Sequence, residues 1–313
     1  MQIVVIHIGG FLGSCREYQK VEQKPVVLSS FNFKTYTKAI RMAELPEIIR
    51  LIGQMNHILH GKTIQTVTLL QEKCTNITPH EFQERSAGAK IKNIKNKGKW
   101  IVTSLDNGEN ILLSLGMGAD VLFFEDENNL PEKYQVKILF SDDSGYTVKF
   151  WWFGKFLLVS EDELLLEPNT KDIAIDPFNE KCTLEYFTAL LKGKKTQIKA
   201  FMMNQKNISG IGNMYMHDIL FKARLHPQKK ISEMSEDDIT LLYNSMMQTL
   251  NLSLEKGAFG YESDFFGQKG GFTMDFFLVG YKENQPCPVC SENIISIKTG
   301  STSTFICPVC QEK

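Results

Sequence analysis

Apolar residues recur at three- and four-residue steps after Met42 and predict one amphipathic helix. Its apolar face consists of Ile48, Leu51, Ile52, Met55, Ile58 and Leu59. This spacing places all six side chains on one side of an α-helix, and the following Gly61 is typical of a helix end. We therefore expect this helix to pack against a core by one face.

Between Thr63 and about Ser160 the pattern changes to short runs of apolar and β-branched residues. Turn residues such as Asp106-Asn107-Gly108 separate these runs, as they do in antiparallel sheets. Several short strands at this spacing predict a β-sandwich or a barrel-like domain. The predicted strands are Thr66–Leu70, Trp100–Leu105, Ile111–Leu115, Val121–Phe124, Val136–Phe140, Thr147–Phe150 and Phe156–Val159.

The second half of the chain has helical periodicity. A predicted linker, Pro168 to Pro177, precedes it, and a loop rich in glycine and phenylalanine follows from Gly257 to Phe272. Ser235 is a plausible N-cap for the longest of the helices. The other predicted helices are Leu184–Leu191, Ile198–Asn204 and Asn213–Ala223.

Four of the seven cysteines form two C-x-x-C pairs, Cys287 with Cys290 and Cys307 with Cys310, sixteen residues apart. Each pair can present two sulfurs to one tetrahedral Zn²⁺. A pair of disulfides or a redox C-x-x-C is the alternative, which the doubled spacing disfavours. We predict one structural zinc ion per chain, held in a ribbon whose strands are Asn293–Lys298 and Ser303–Ile306. Four-cysteine ligation leaves no open position for catalysis by the metal.

The distribution of charged residues bears on whether the protein binds nucleic acid. The net charge is −1, but lysine and arginine cluster at residues 90–99, 192–199 and 222–230. Such basic clusters would suit a groove that follows a nucleic-acid backbone, although three solvated faces explain them equally well. No apolar run reaches the length of a membrane-spanning helix, and the short apolar start does not resemble a secretory signal. We expect an intracellular, cytoplasmic monomer.

The turn Gly210-Ile211-Gly212-Asn213 lies between two helical patterns. Two glycines permit a tight turn, and the new helix presents N–H groups and the positive end of its dipole to an anion. Asn213 could cap this helix or donate to a phosphate. The pattern alone has little specificity, because most such turns only reverse the chain.

The longer stretch from Ile208 to Pro227 resembles the helix-two-turn-helix signature of the formamidopyrimidine-DNA glycosylase / endonuclease VIII family. The helix after Met42 and the cysteine pairs occur in that family in the same order. The resemblance implies an α+β multidomain fold. Its parts are a catalytic-type domain of an N-terminal helix and a β-sandwich (42–167), a helix-two-turn-helix DNA-binding domain (168–282) and a zinc ribbon (283–313). Residues 1–41 would be an extension outside the family pattern, either not translated or disordered.

The family begins, after removal of the initiator methionine, with Pro-Glu-Leu-Pro-Glu, which Ala43–Glu47 matches here. The resemblance implies that the α-amine of Ala43 attacks C1′ of a damaged nucleotide, and that the resulting Schiff base leads to strand cleavage by β,δ-elimination. Glu44 matches the acid that handles protons at the sugar, although a glutamate at a helix start is also favoured by the helix dipole. Alanine replaces proline, but its α-amine can still serve as the nucleophile. The chain must then begin at Met42 or lose its extension.

The resemblance also implies contacts with damaged double-stranded DNA. Phosphate contacts would come from Lys99 and Asn213, and Lys199 matches a family lysine near the DNA. Met117 would fill the space left by an extruded base, with Phe153 as a stacking wedge. Lys99 could equally belong to a solvated cluster, and Met117 to the core.

Two positions depart from the family pattern. Trp151-Trp152-Phe153-Gly154 stands where the family has Arg-Arg-Phe-Gly, so the arginine that pairs with the orphaned base is missing. Thr302 stands where the ribbon has an arginine, so a charge-assisted phosphate contact is also missing.

Three functions remain open from the sequence. The first is a base-excision-repair glycosylase with AP-lyase activity on oxidised or ring-opened bases. The second is a catalytically impaired protein of the same fold that binds damaged DNA. The third is a zinc-ribbon interaction protein unrelated to DNA, which the Ile208–Pro227 stretch disfavours.

Overall fold

The computed structural model describes residues 43–260 and 262–313. The predicted extension, residues 1–41, lies outside them. The first element is helix α1, Leu45–Leu59, with Pro46 in its first turn and Glu44 as its N-cap residue. The predicted apolar face is buried, including Ile48, Leu51 and Met55.

Eight strands form two four-stranded antiparallel sheets after α1, as the β-sandwich prediction requires. One sheet has the order β1-β6-β7-β5 and the other β2-β3-β4-β8. A single core contains side chains from both sheets and from α1, among them Ile64, Ile101, Ile138 and Met55. The strands are β1 Ile64–Leu69, β2 Ile91–Lys97, β3 Trp100–Leu105, β4 Glu109–Ser114, β5 Ala119–Phe124, β6 Val136–Phe140, β7 Gly145–Phe150 and β8 Lys155–Ser160.

The sequence pattern did not predict one strand and two α-helices of this part. Strand β2 coincides with the basic run at residues 90–99, which was interpreted only as a charge cluster. Helices α2, Pro79–Ser86, and α3, Glu161–Leu166, were not predicted either. Both are short, and together they bury only two side chains, Phe82 and Ser86.

Four helices build the second layer: α4 Leu184–Leu191, α5 Ile198–Met203, α6 Asn213–Lys222 and α7 Glu236–Glu255. Ser235 caps α7, as predicted: its Oγ accepts a hydrogen bond from the Asp238 amide at 3.1 Å. Helices α6 and α7 pack against each other around Tyr215, Leu242 and Met246. None of the described helices is both long enough and apolar enough to cross a membrane.

A two-stranded ribbon, β9 Ile295–Thr299 and β10 Thr302–Ile306, ends the chain. It packs on the C-terminal part of α6 through a small apolar cluster that includes Phe221, Ile294 and Phe305. The buried Gln311 side chain donates to the Leu225 carbonyl at 2.9 Å and accepts from the Cys307 amide at 3.1 Å. The ribbon is therefore fixed to the helical layer. The α+β fold with these three parts is confirmed.

Candidate nucleic-acid interface and active site

Glu44 is buried where α1 meets the start of α6. Its carboxylate accepts hydrogen bonds from the backbone amides of Gly212 at 2.6 Å and Met214 at 2.9 Å. The Leu45 amide also donates to the Gly210 carbonyl at 2.9 Å. This second bond joins the start of α1 to the glycine turn before α6. A helix N-terminus stabilises a negative charge, so the carboxylate occupies the place where an anion is favoured.

This contact corrects the prediction for the glycine turn. We expected the free N–H groups at the start of α6 to receive a phosphate, but two of them already donate to Glu44. The turn therefore binds an acid of the chain itself. Asn213 lies beside it, and its side-chain amide donates to the Ser303 carbonyl of the ribbon at 3.3 Å.

Lys99 and Glu44 converge on Gly212. A Cβ added to Gly212 would come within 2.3 Å of both Glu44 Oε1 and Lys99 Nζ, so a larger residue here would displace these two side chains. Lys99 is placed by the β2–β3 turn, where Gly98 has a φ of 59° and an added Cβ would lie 3.0 Å from the side chains of Ile173 and Ser209. Burial raises the pKa of Glu44, and the Lys99 charge and the amide hydrogen bonds partly offset this effect. A carboxyl with a raised pKa is suited to hold and release a proton.

Ala43 precedes Glu44 and lines a cleft of about 490 Å³. The cleft lies between the sandwich and the helical layer and has the size of a small-ligand site. Its walls carry two lysines, Lys99 and Lys206, and several neutral polar side chains. The other lining residues are Trp100, Ser114, Leu115, Gly116, Pro168, Asn169, Asp172, Ile173, Met203, Asn204 and Gln205.

Two loops of the sandwich lie side by side at the rim of this cleft. We call them the rim loops: residues 116–118 between β4 and β5, and residues 151–154 between β7 and β8. The Met117 amide donates to the Trp152 carbonyl and the Trp151 amide donates to the Gly118 carbonyl, both at 2.9 Å. Met117 is 48% exposed, so the interpretation as a core residue is wrong. Phe153, the predicted wedge, is 79% exposed.

Two family models match the chain. The formamidopyrimidine-DNA glycosylase N-terminal domain matches residues 42–151, and the formamidopyrimidine-DNA glycosylase H2TH domain matches residues 173–264. The formamidopyrimidine-DNA glycosylase of Mycoplasma mobile is 30% identical over 277 residues, which cover 87% of this chain and 99% of that protein. The chain belongs to the formamidopyrimidine-DNA glycosylase family. The enzyme of the same name from Streptococcus mutans is 29% identical over 87% of this chain and all of its own length.

Solved structures of formamidopyrimidine-DNA glycosylases have the same fold. That of Lactococcus lactis, bound non-covalently to DNA containing an AP site, superimposes with a TM-score of 0.78 at 23% identity, covering 87% of this chain and all of that one. That of Thermus thermophilus superimposes with a TM-score of 0.75 at 22% identity, covering 86% and 98%. At this identity the similarity establishes the fold alone.

Lys199, which the family resemblance implied to lie near the DNA, is buried between α5 and the ribbon. Its Nζ donates to the hydroxyls of Thr299, Thr302 and Thr304 at 2.9, 3.0 and 2.6 Å. Burial lowers its pKa to about 8. Thr302 is the position where the family has an arginine, so the amine of Lys199 brings a positive charge to the same part of the ribbon.

The four cysteines come together as predicted. Their sulfur atoms all lie within 4.8 Å of one another, with Cys287 and Cys310 at 3.8 Å and Cys290 and Cys307 at 3.3 Å. Sulfurs about 2.3 Å from a tetrahedral zinc ion would be about 3.8 Å apart. Among the described residues these four cysteines are not joined by disulfides. The donor set and spacing therefore fit a metal ion.

A buried network behind Glu44 was not predicted. Glu47 accepts hydrogen bonds from the Tyr215 hydroxyl at 2.5 Å and the Glu44 amide at 3.0 Å, and Tyr215 also pairs with Ser253 at 2.6 Å. The resemblance gave Glu47 only as part of the matching segment. The Tyr215 contact spans 168 residues of sequence, so no local pattern could indicate it.

We predict that Glu47 makes the protein less stable as the pH rises from about 4.5 to 7. Burial raises its pKa from 4.5 to about 7, so the folded state binds a proton more tightly than the unfolded state within this window. The free energy of unfolding attributable to Glu47 should fall by roughly 2–3 kcal/mol across it. Urea denaturation at pH 5 and pH 8 measures the change. Glu47→Gln should flatten the profile, and Glu161→Gln, at an exposed position on α3, should not. Equal slopes for the wild-type protein and Glu47→Gln would contradict the assignment.

Proposed function

We propose that this chain is a base-excision DNA glycosylase with AP-lyase activity, acting on oxidised or ring-opened bases in double-stranded DNA. The observation that carries the proposal is Glu44, a buried carboxyl with a raised pKa, which directly follows Ala43 in the sequence. Ala43 lines the cleft together with Lys99. The similar structure from Lactococcus lactis, bound to DNA with an AP site, supports the choice of DNA as the partner.

In this proposal the neutral α-amine of Ala43 forms a bond to C1′ of the damaged nucleotide. The glycosidic bond breaks, and the departing base takes up the proton that the Ala43 nitrogen releases after it has bonded to C1′. Glu44 protonates the sugar oxygen as the ring opens to the Schiff base, and elimination then breaks the strand. Lys99, on the cleft wall, would contact a neighbouring phosphate, as would Asn213 beside the glycine turn. Charge-assisted contacts of this kind fix the register of DNA on a protein.

The four-cysteine cluster would hold Zn²⁺, which would stabilise the ribbon and take no part in the chemistry. The ribbon supplies the Ser303 carbonyl to Asn213 and three threonine hydroxyls to Lys199. We propose that the metal acts on DNA binding only by keeping these groups in place.

The substitution Glu44→Gln tests the proposal in a protein that begins at Ala43. Glutamine is nearly isosteric and keeps one oxygen acceptor for the amides of Gly212 and Met214, but its NH₂ group replaces the other acceptor and it cannot donate an acidic proton. We expect base excision to fall by about 10²–10⁴-fold, while binding to DNA with a stable abasic analogue changes by less than about threefold. Single-turnover cleavage and fluorescence anisotropy measure the two quantities. Glu161→Gln, on the exposed face of α3, is the matched control, and excision by Glu44→Gln at the wild-type rate would overturn the role of Glu44.

A second function is favoured by one feature of the chain. In the full sequence the nitrogen of Ala43 belongs to a peptide bond with Met42, and an amide nitrogen cannot form a Schiff base. With the extension attached, the protein would bind damaged DNA without cleaving it. Whether the α-amine is free decides between the two functions.

A further inference from the structure

The rim loops present aromatic surface to solvent beside the cleft. Trp152 is 66% exposed and Phe153 79% exposed. Phe153 has a φ of 55°, a left-handed conformation that a bulky residue rarely adopts. Adjacent exposed aromatic side chains, one of them on a left-handed backbone position, are the kind of feature that marks a binding surface.

This exposure is built into the fold. The loop is joined to its neighbour by the two hydrogen bonds of Met117 and Trp151. Glycine is required on both sides, because a Cβ on Gly116 would collide with the backbone of residues 152–154 and a Cβ on Gly154 with the Phe150 ring. The Lys149 amine lies 4.8 Å from the centre of the Trp151 ring. The backbone that carries Trp152 and Phe153 is therefore firmly positioned.

The rim loops continue the wall of the cleft. Leu115 and Gly116 line the cleft together with Ala43, and Met117 follows directly. If the cleft receives a nucleotide turned out of the duplex, as under the proposed function, the base on the opposite strand loses its partner. The rim loops are the exposed surface that adjoins the cleft and can receive this base.

The exposed side chains of the rim loops offer π-faces and apolar surface but few hydrogen-bonding groups. A base is identified by hydrogen bonds to donors and acceptors on its edge, whereas stacking tolerates every base because each has a π-face. Trp152 has a single N–H donor and no acceptor, and Phe153 and Met117 have no hydrogen-bonding group beyond a weak sulfur acceptor. The exposed tips of the rim loops can therefore stack on a base, but a single donor does not provide the paired hydrogen bonds that identify one base.

We propose that Trp152 stacks on the unpaired base opposite the damaged nucleotide, and that the protein consequently does not distinguish which of the four bases is opposite. This inference rests on the proposed function, because it needs a nucleotide in the cleft. Stacking by Trp152 adds binding energy without selecting a base. A side chain that forms hydrogen bonds at the same place would favour one base over the others.

Binding to four duplexes tests the proposal. Each contains a tetrahydrofuran abasic analogue opposite A, C, G or T. We expect the four dissociation constants of the full chain to agree within about threefold, and Trp152→Ala to raise all four alike by about tenfold. Trp152→Phe should retain most of the affinity. Trp152→Arg should create a preference of at least about tenfold for one opposite base, because a guanidinium donates in a fixed geometry. Leu165→Ala, an exposed apolar position on α3, is the control and should change nothing.

A spectroscopic reading distinguishes stacking from a structural role. With 2-aminopurine opposite the abasic analogue, binding should change its fluorescence, and Trp152→Ala should remove most of that change at saturating protein. A wild-type preference above about tenfold for one opposite base overturns the inference, as does an unchanged 2-aminopurine signal in Trp152→Ala. Failure to prefer abasic over undamaged DNA would instead overturn the proposed function, so the two failures are distinguishable.

Discussion

A protein that begins at Ala43 with a free α-amine will form a borohydride-trappable adduct with abasic-site DNA, and the full 313-residue chain will form none. The reaction needs a neutral amine within reach of C1′. An α-amine has a pKa near 7.7–8.0, so about a tenth of it is neutral at pH 7, compared with less than about a thousandth of an ordinary lysine. In the full chain the same nitrogen is an amide and is not nucleophilic. Denaturing gels of borohydride-treated mixtures measure the adduct.

The shorter protein can be prepared by starting translation at Met42, because methionine before a small residue is generally removed. Mass spectrometry must confirm that Ala43 is the first residue. A protein that still carries the methionine is the matched control, since its amine is displaced by one residue from Glu44. Strong binding of abasic DNA without any adduct would favour the binding protein over the glycosylase.

Trapping by the full chain would point to a different nucleophile. The cleft contains two further amines, those of Lys99 and Lys206. Lys99→Arg and Lys206→Arg preserve the charge but remove the nucleophile, so the variant that loses the adduct would identify the amine. The assignment of Ala43 would then be wrong.

The strands of the sandwich could be predicted from the sequence where buried and exposed residues alternate along them. Strand β3 has a buried residue at every second position, and its predicted bounds agree with the structure. Strand β2 has only Ile91 and Ile94 buried among lysines and asparagines, three residues apart rather than two. A register irregularity between Ile91 and Asn93 disrupts the alternation. The period-two signal was therefore absent from the sequence.

The candidate site was predictable residue by residue but not in its arrangement. Ala43, Glu44 and Lys99 were chosen from the family resemblance, and the structure brings them to one place. The contact between Glu44 and Gly212 joins residues 168 positions apart, and that between Lys199 and Thr299 joins residues 100 apart. Such contacts depend on the packing of separate domains, which local periodicity does not encode. For this reason the local pattern did not indicate that two backbone amides at the glycine turn bind Glu44.

Cys290→Ser will lower bound zinc well below one ion per chain and weaken binding to abasic DNA by about 100-fold. The ribbon has a core of only a few apolar side chains, too few to fold stably without a further constraint. Loss of one thiolate ligand removes that constraint. Metal analysis of the purified protein and fluorescence anisotropy measure the two effects.

Val289→Ala is the matched control, because Val289 lies between Cys287 and Cys290 and is 67% exposed. It should retain both zinc and DNA affinity. Added zinc should not rescue Cys290→Ser, whereas it should rescue wild-type protein that has been stripped with a chelator.

The expected loss of DNA affinity follows from the hydrogen bonds that the ribbon makes to the helical layer. When the ribbon unfolds, Lys199 loses three hydroxyl acceptors and Asn213 loses the Ser303 carbonyl. Asn213, a proposed phosphate contact, and the buried Lys199 would thus lose their ribbon partners at once, although neither has been mutated. The β-sandwich and the Glu44 contact with α6 do not include the ribbon, so they should persist, and the shorter protein should keep some trapping activity at high DNA concentration. A metal-free Cys290→Ser protein with undiminished DNA affinity would show that the ribbon does not position these residues.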